Sequence, residues 1–306
     1  MPNVTIYKYL DGHSETITIK VRKNSAVGDR LPMPMSILPE KEGFIAKYWC
    51  ENNDYFMDFD KHSLISDDLE VFVDYFKMIS TPDEIYLLQD KSLEWKTYPR
   101  FVLASDIDMA DRTWTPVVNF CGKFSGNGNT IRNLRVNADS KGKKDYYGLF
   151  GNIHDGAIVC NITLENCVVD GGDFGICGGI TGFNYGILHK CKIKGGIIKG
   201  STVGSIVGQL DGGVYFCSAE KTVLNGYTTG GIAGETRGGC IGHCYTLNTS
   251  IKPWDNYDKF DVITVLYETG CCNITNTGGD NKMVCTRETL IKRLEQKAAK
   301  YNVRLN

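Results

Sequence analysis

The strongest constraint on this chain is a repeat. Between residues 148 and 244 a glycine pair brackets two apolar or small residues, and a cysteine follows about one strand later. The units are Gly148-Leu149-Phe150-Gly151 with Cys160, Gly179-Ile180-Thr181-Gly182 with Cys191, Ser205-Ile206-Val207-Gly208 with Cys217, and Gly231-Ile232-Ala233-Gly234 with Cys244. The last glycine precedes its cysteine by 9, 9, 9 and 10 residues, and the successive glycines Gly151, Gly182, Gly208 and Gly234 stand 31, 26 and 26 apart. A fixed period of this size marks a repeat architecture. One unit cannot bury a core alone, so each must stack on its neighbours and share one long apolar interior.

The residues inside each unit select the kind of solenoid. Gly, Val, Ile, Thr and Cys dominate, apolar runs are short (Ile197-Ile198, Ile206-Val207, Val223-Leu224), and Asp-Gly, Lys-Gly and Asn-Gly pairs punctuate them. No helical period runs between residues 120 and 250. The expected fold is therefore predominantly all-β, a parallel β-helix whose coils rise by about 4.8 Å. Glycine is expected at its corners, where positive φ is needed. The five extra residues of the 31-residue step are placed between Asn161 and Gly178, as an outward loop around Gly171-Gly172-Asp173.

The segment Phe120 to Val136, the run Tyr146 to Gly151, and the later GGITG, GSIVG and GGIAG resemble the GLUG-repeat family, as do Asp106-Ile107-Asp108 and Trp114-Thr115-Pro116 ahead of them. The likeness covers about residues 101–250 and implies a right-handed β-solenoid of the kind found in large surface or secreted bacterial proteins, with no catalytic residues in its pattern. Ahead of it, Val4-Thr5-Ile6, Gly28-Asp29, the proline-rich stretch Pro32 to Pro39, Glu42-Gly43-Phe44, Tyr48-Trp49, Phe56 to Phe59 and Leu69 to Tyr75 are similar to the internalin-type B repeat, a small β-grasp-like module. The alternation in Glu70-Val71-Phe72-Val73-Asp74-Tyr75 independently reads as a strand.

Four parts follow: a β-grasp-like module over 1–76, a linker and N-terminal cap over 77–100, the solenoid over 101–250, and a C-terminal cap over 251–306. Ser80-Thr81-Pro82-Asp83 marks the first boundary, with a short helix or strand from Glu84 to Trp95. Near the end, Thr286 suits an N-cap for an amphipathic helix over 287–301, with Leu290, Leu294, Ala298 and Tyr301 on one stripe and a basic opposite face. Such a helix would close the open end of the ladder.

Composition excludes several classes of partner. A formal charge of -2 and a pI near 6.2 provide no basic field for nucleic acid. No apolar stretch approaches the roughly 18 residues of a membrane span, and Met-Pro-Asn-Val-Thr opens directly on a strand, with no signal peptide read there. The repeat register predicts that Cys160, Cys191, Cys217 and Cys244 form one inward column of free thiols, which favours a reducing compartment or a phage origin over the cell surface that the resemblance implies. The sequons at Asn3, Asn161, Asn248 and Asn273 read as coincidental, Asn161 falling in an expected strand.

Three constellations could carry chemistry. Cys240, His243 and Cys244, completed by Cys271, Cys272 or Cys285, could supply zinc donors, but strand alternation points His243 and Cys244 in opposite directions. Asp155 and Asp211 fall at one corner two coils apart, about 10 Å by strand spacing, near an inverting glycosidase pair. Tyr185 lies between them, and Asp before Gly is turn chemistry. Ser125-Gly126-Asn127-Gly128-Asn129 is a solenoid corner and lacks the Lys and helix of a phosphate loop.

The expectation is a non-enzymatic protein without cofactor or metal, binding a protein or glycan through a rigid flank. Phe183, Tyr185, Tyr215 and Tyr227 are the candidate surface aromatics, with Tyr185 and Tyr215 near one another. Binding or adhesion leads. A phage or mobile-element protein acting by protein–protein binding is the first alternative, and a carbohydrate-active β-helix enzyme the second.

Overall fold

The computed structural model describes residues 1–10, 13–52, 55–58, 64–90, 99–110, 112–138 and 145–252. Over residues 100–252 the chain winds as a parallel β-solenoid of about six turns. Its first face stacks Arg100–Leu103, Lys123–Ser125, Ile158–Cys160, Ile187–His189, Gly213–Tyr215 and Cys240–Gly242. The second runs from Ile107–Asp108 through Thr130–Arg132, Thr163–Asp170 and Lys192–Gly204 to Val223–Gly230 and Ser250–Lys252. The third stacks Phe150–Ile153, Thr181–Asn184, Val207–Leu210 and Ala233–Thr236.

In-register pairing turns the repeat into columns. Phe101, Phe124, Val159, Leu188, Val214 and Ile241 line the interior of the first face. Ile107, Ile131, Leu164, Ile193 and Ala219 line that of the second. All are buried in one continuous core. A buried Leu or Ile contributes about 1.5–3 kcal/mol, so the stack of such rows, shared between coils, supplies the stability that no single coil could.

The corners revise the expected role of glycine. One corner column is Asn161, Lys190, Phe216 and His243, at φ 52°, 53°, 55° and 54°. Asn161 is thus at a corner, outside any strand. A second column holds Asn133, Asn166, Gly195, Lys221 and Asn248 at φ 57°, 54°, 69°, 55° and 52°. Asparagine recurs, at four of these nine positions, because its short polar side chain tolerates the left-handed region. The repeat glycines Gly151, Gly182, Gly208 and Gly234 do not have positive φ. A Cβ on Gly182 would lie 2.5 Å from Tyr147 N and 2.6 Å from Ile176 O, and one on Gly208 would lie 2.7 Å from Cys177 N and Gly182 O. The third face therefore meets the end of the second backbone to backbone, with no room for a side chain between them.

The five additional residues of the long step are divided between two sites. Ile153 pairs with Asn184 and Ile158 with Ile187, so five positions match three and two are extra, at the His154–Ala157 corner. Asp170 pairs with Lys199 and Ile176 with Thr202, so six match three, and the other three form the 3-10 turn Gly172–Phe174. Only the latter group lies in the expected loop.

The first coils are pinned by the polar residues of the 106–116 segment. Asp106 accepts the Thr130 N–H at 2.8 Å and pairs with Arg132 at 2.9 Å, and the buried Trp114 donates Nε1–H to Leu149 O at 2.8 Å. The N-terminal residues form a mixed sheet: Asn3–Leu10 pairs antiparallel with His13–Lys20 and parallel with Leu69–Ile79, which is antiparallel to Phe44–Asn52. The last residues of Leu69–Ile79 pair with Phe101, Val102 and Leu103, so this strand runs past residue 76 and carries the sheet directly into the solenoid ladder. Beside it, the 3-10 helix Glu84–Gln89 inserts Ile85 and Leu88 into the solenoid core.

The N-terminal sheet also covers the first face. Tyr55–Asp58 lies against Ile187–His189, the Lys47 ammonium donates to Asn127 Oδ1 at 2.9 Å, and Lys123 sits over the Trp49 ring. Ser125, Cys160 and His189, one column on this face, are all buried. At the junction Asp74 pairs with Arg100 at 2.8 Å. Burial raises the Asp74 pKa, and Arg100, the Tyr75 N–H and Lys123 oppose that rise. The helix expected over 287–301, with its Thr286 cap, lies outside the described residues.

Candidate binding surface

The cysteine column is real but shorter than expected. Cys191, Cys217 and Cys244 stack, the Cys191 and Cys217 N–H groups each donating to the next Sγ at 3.3 Å. Cys160 is not among them: it is level with Ser125, His189 and Tyr215 on the first face. Thr163 pairs with Lys192, so Ile162 occupies the column one coil before Cys191. The two extra residues at the His154–Ala157 corner displace Cys160 by two positions, so its equal offset from the repeat glycine conceals a different register. Cys121, Cys160, Cys167, Cys177, Cys191, Cys217, Cys240 and Cys244 are free. Burial pushes the Cys167 thiol up to about 12 and raises Cys177 and Cys217 as well.

The four candidate aromatics do not form one patch. Tyr215 stands at the far end of the first face, level with His189, whereas Tyr185 precedes that face by a corner. The two are therefore separated along the strand direction. Tyr227 lies on the second face within Val223–Gly230. Phe183 and Tyr185 do meet, edge to face at 4.3 Å.

A third ring, which the sequence did not single out, completes this cluster. Tyr146 stacks on Phe183 at 5.3 Å and 18°. Phe183 is 4% exposed and lies outside the main core, enclosed by Tyr146 and Tyr185, while Tyr185 is 45% exposed. The register makes a grid around them. Asn152, Phe183, Gln209 and Glu235 form one column. The next corner column is His154, Tyr185, Asp211 and Arg237, each directly following a paired residue. Rows are one coil apart, about 4.8 Å, and the columns are two residues apart, about 7 Å.

The grid is polar around its rings. Asn152 and Asn119 exchange hydrogen bonds, Asn119 N–H and Asn152 Nδ2 each donating at 2.8 Å, and His154 Nε2 is 3.1 Å from Asn119 Oδ1. Gln209 Nε2 donates to Glu235 at 2.5 Å, and Arg237 pairs with Glu235 at 3.4 Å. Burial lowers the His154 pKa, which favours the neutral ring.

A second exposed aromatic also escaped the sequence. Phe216, 46% exposed, occupies the positive-φ corner, stacks on His243 at 4.7 Å and meets His189 edge-on at 5.4 Å. A bulky residue rarely adopts this φ, and only alignment of the corner columns shows it standing where Asn161 stands two coils earlier. On the second face Asp108, Arg132, Glu165, Lys194 and Glu220 form one column of alternating charge.

The other candidate groups are scattered. Cys240 is exposed, His243 is stacked on Phe216 and Cys244 is buried. Among the described residues no three His, Cys, Asp or Glu side chains converge as metal ligands, and Cys271, Cys272 and Cys285 lie outside those residues. Asp155 and Asp211 do share a corner, with Tyr185 in the coil between, but Asp155 sits exposed in the widened turn before Gly156 at φ 75°. Among the described residues no helix is long and apolar enough to cross a membrane.

No protein-family profile matches the chain. No solved structure is significantly similar to it. Among curated proteins it is 31% identical over 123 residues to halomucin of Haloquadratum walsbyi, an alignment that covers 35% of this chain and 1% of the halomucin. The chain therefore spans a very small part of that relative.

Proposed function

We propose that this chain is a non-enzymatic binding or adhesion protein that presents the third face of its solenoid and the adjoining corner to a partner. The observation that carries this reading is the grid: Tyr146, Phe183 and Tyr185 form an aromatic cluster flanked by amides and carboxylates, whereas the N-terminal sheet occupies the first face. The partial likeness to halomucin and the GLUG-like motifs support a surface-repeat role. The mixed N-terminal sheet, with its parallel pair Asn3–Leu10 and Leu69–Ile79, supports a grasp-like reading of that module.

The test is retention of the full chain on immobilised cell-envelope fractions, compared with Tyr185→Ala. Retention that Tyr185→Ala abolishes is expected. Equal retention of the variant, or polysaccharide cleavage that Asp155→Ala or Asp211→Ala removes, would overturn the reading. The free, buried thiols favour a second reading, a phage or mobile-element protein acting inside a cell, because cytosolic cysteines stay reduced. Thiol counting on protein from its native source separates the two: fewer than about eight free thiols in the denatured, unreduced chain would exclude it.

A further inference from the structure

Resting on that binding role, we infer that the grid is a recognition site for a neutral, hydroxyl-rich glycan, with Tyr185 as the stacking platform. Three features of the surface select this chemistry.

The first is the aromatic. Tyr185 packs edge to face against Phe183, on which Tyr146 also stacks, so the exposed ring is braced by its neighbours. A braced, half-exposed ring offers a flat apolar surface to the C–H face of a sugar and has less rotamer entropy to lose on binding than a free one.

The second is charge. Of the grid's two acids, Glu235 pairs with Arg237, and Asp211 has no cationic partner among the described residues. The one Arg is thus engaged, and burial lowers the His154 pKa and so favours its neutral ring. Among the described residues no free cation remains in the grid to receive phosphate, sulfate or a uronate. Carboxylates and side-chain amides instead accept and donate to neutral hydroxyls, and Asp211 stands beside Tyr185 at one coil rise, about 4.8 Å.

The third is the lack of an apolar centre. Stable protein interfaces place several apolar anchors in a desolvated middle. Among the described residues beside this grid, only Tyr185 and Val118 are large apolar side chains with substantial exposure, at 45% and 66%. One platform surrounded by hydrogen-bonding groups fits a sugar, and repetition at the coil rise lets a chain of sugars run along the solenoid axis.

The experiment is affinity electrophoresis of the full chain in gels containing hydroxyethylcellulose, galactomannan or soluble β-1,3-glucan, with alginate and heparin as anionic comparators. The wild-type chain should be retarded by at least one neutral polysaccharide and by neither anionic one. Tyr185→Ala should weaken that retardation about tenfold or more, Tyr185→Phe should keep most of it, and Asp211→Asn should weaken it without altering thermal unfolding. Retardation only by alginate or heparin, or retardation by a neutral polysaccharide that Tyr185→Ala leaves unchanged, would overturn the inference. Loss of all polysaccharide binding while Tyr185-dependent retention on cell envelopes persists would overturn the glycan assignment and leave the broader binding role standing.

Discussion

Replacing Gly182 by Ala tests the claim that the repeat glycines serve close backbone packing. Its φ is not positive, so Ala incurs no backbone penalty and would stabilise by about 0.4–1 kcal/mol through the unfolded chain if space were available. Space is absent: the added Cβ would stand 2.5 Å from Tyr147 N, 2.6 Å from Ile176 O and 2.6 Å from Tyr146 Cβ. Carbon atoms prefer about 3.5–4.0 Å, and two of the three neighbours are backbone atoms held in ladders that cannot rotate away. The cost should reach the upper end for overpacking, about 3 kcal/mol, lowering Tm by roughly 6–12 °C at about 2–4 °C per kcal/mol for a unit of this size. Gly156→Ala is the opposite case, with φ at 75° and no atom within 4 Å of the added Cβ. It should cost only about 1–2 kcal/mol, the left-handed penalty of an L-residue. Thermal unfolding followed by circular dichroism and calorimetry compares them. A larger loss for Gly156→Ala than for Gly182→Ala would refute the packing argument and return the repeat glycines to a conformational role.

Thiol labelling at pH 8 with peptide mapping should modify exposed Cys240 first, and modify Cys167, Cys177 and Cys217 only after guanidinium is added, because burial raises the pKa of these three. Arg132→Glu places like charges along Asp108, Glu165 and their neighbours; it should lower Tm, and the difference should shrink in about 1 M salt, where screening is nearly complete. Hydrogen bonds hold the pKa values of Asp106 and Asp108 below their ordinary 3.8. Their contribution is therefore full above that value and lost as pH falls through the lower folded values. Acid titration of Tm should show this loss in the wild type and not in a variant carrying Asp106→Asn and Asp108→Asn.

The sequence alone determined that this chain is a parallel β-solenoid, because a glycine–cysteine period near 26 residues with short β-branched runs has no other way to bury its apolar residues. It also located the turn around Gly171-Gly172-Asp173 and placed Asp155 and Asp211 at one corner. What it could not fix was the register between unequal corners. Cys160 keeps the same offset from Gly151 that Cys191 keeps from Gly182, yet two residues more in the His154–Ala157 corner move it to another column and give its place to Ile162. The sequence also could not show which flank stays open, since that depends on the hairpin around Trp49 folding back over the first face. Tyr146 is distant from Phe183 in the chain and joins it only when successive coils stack. Local spacing is encoded residue by residue, whereas columns and covered faces arise from pairing between coils. Only the folded structure could therefore separate Tyr185, half-exposed beside Asp211, from Tyr215 and Tyr227, which the sequence ranked as its equals.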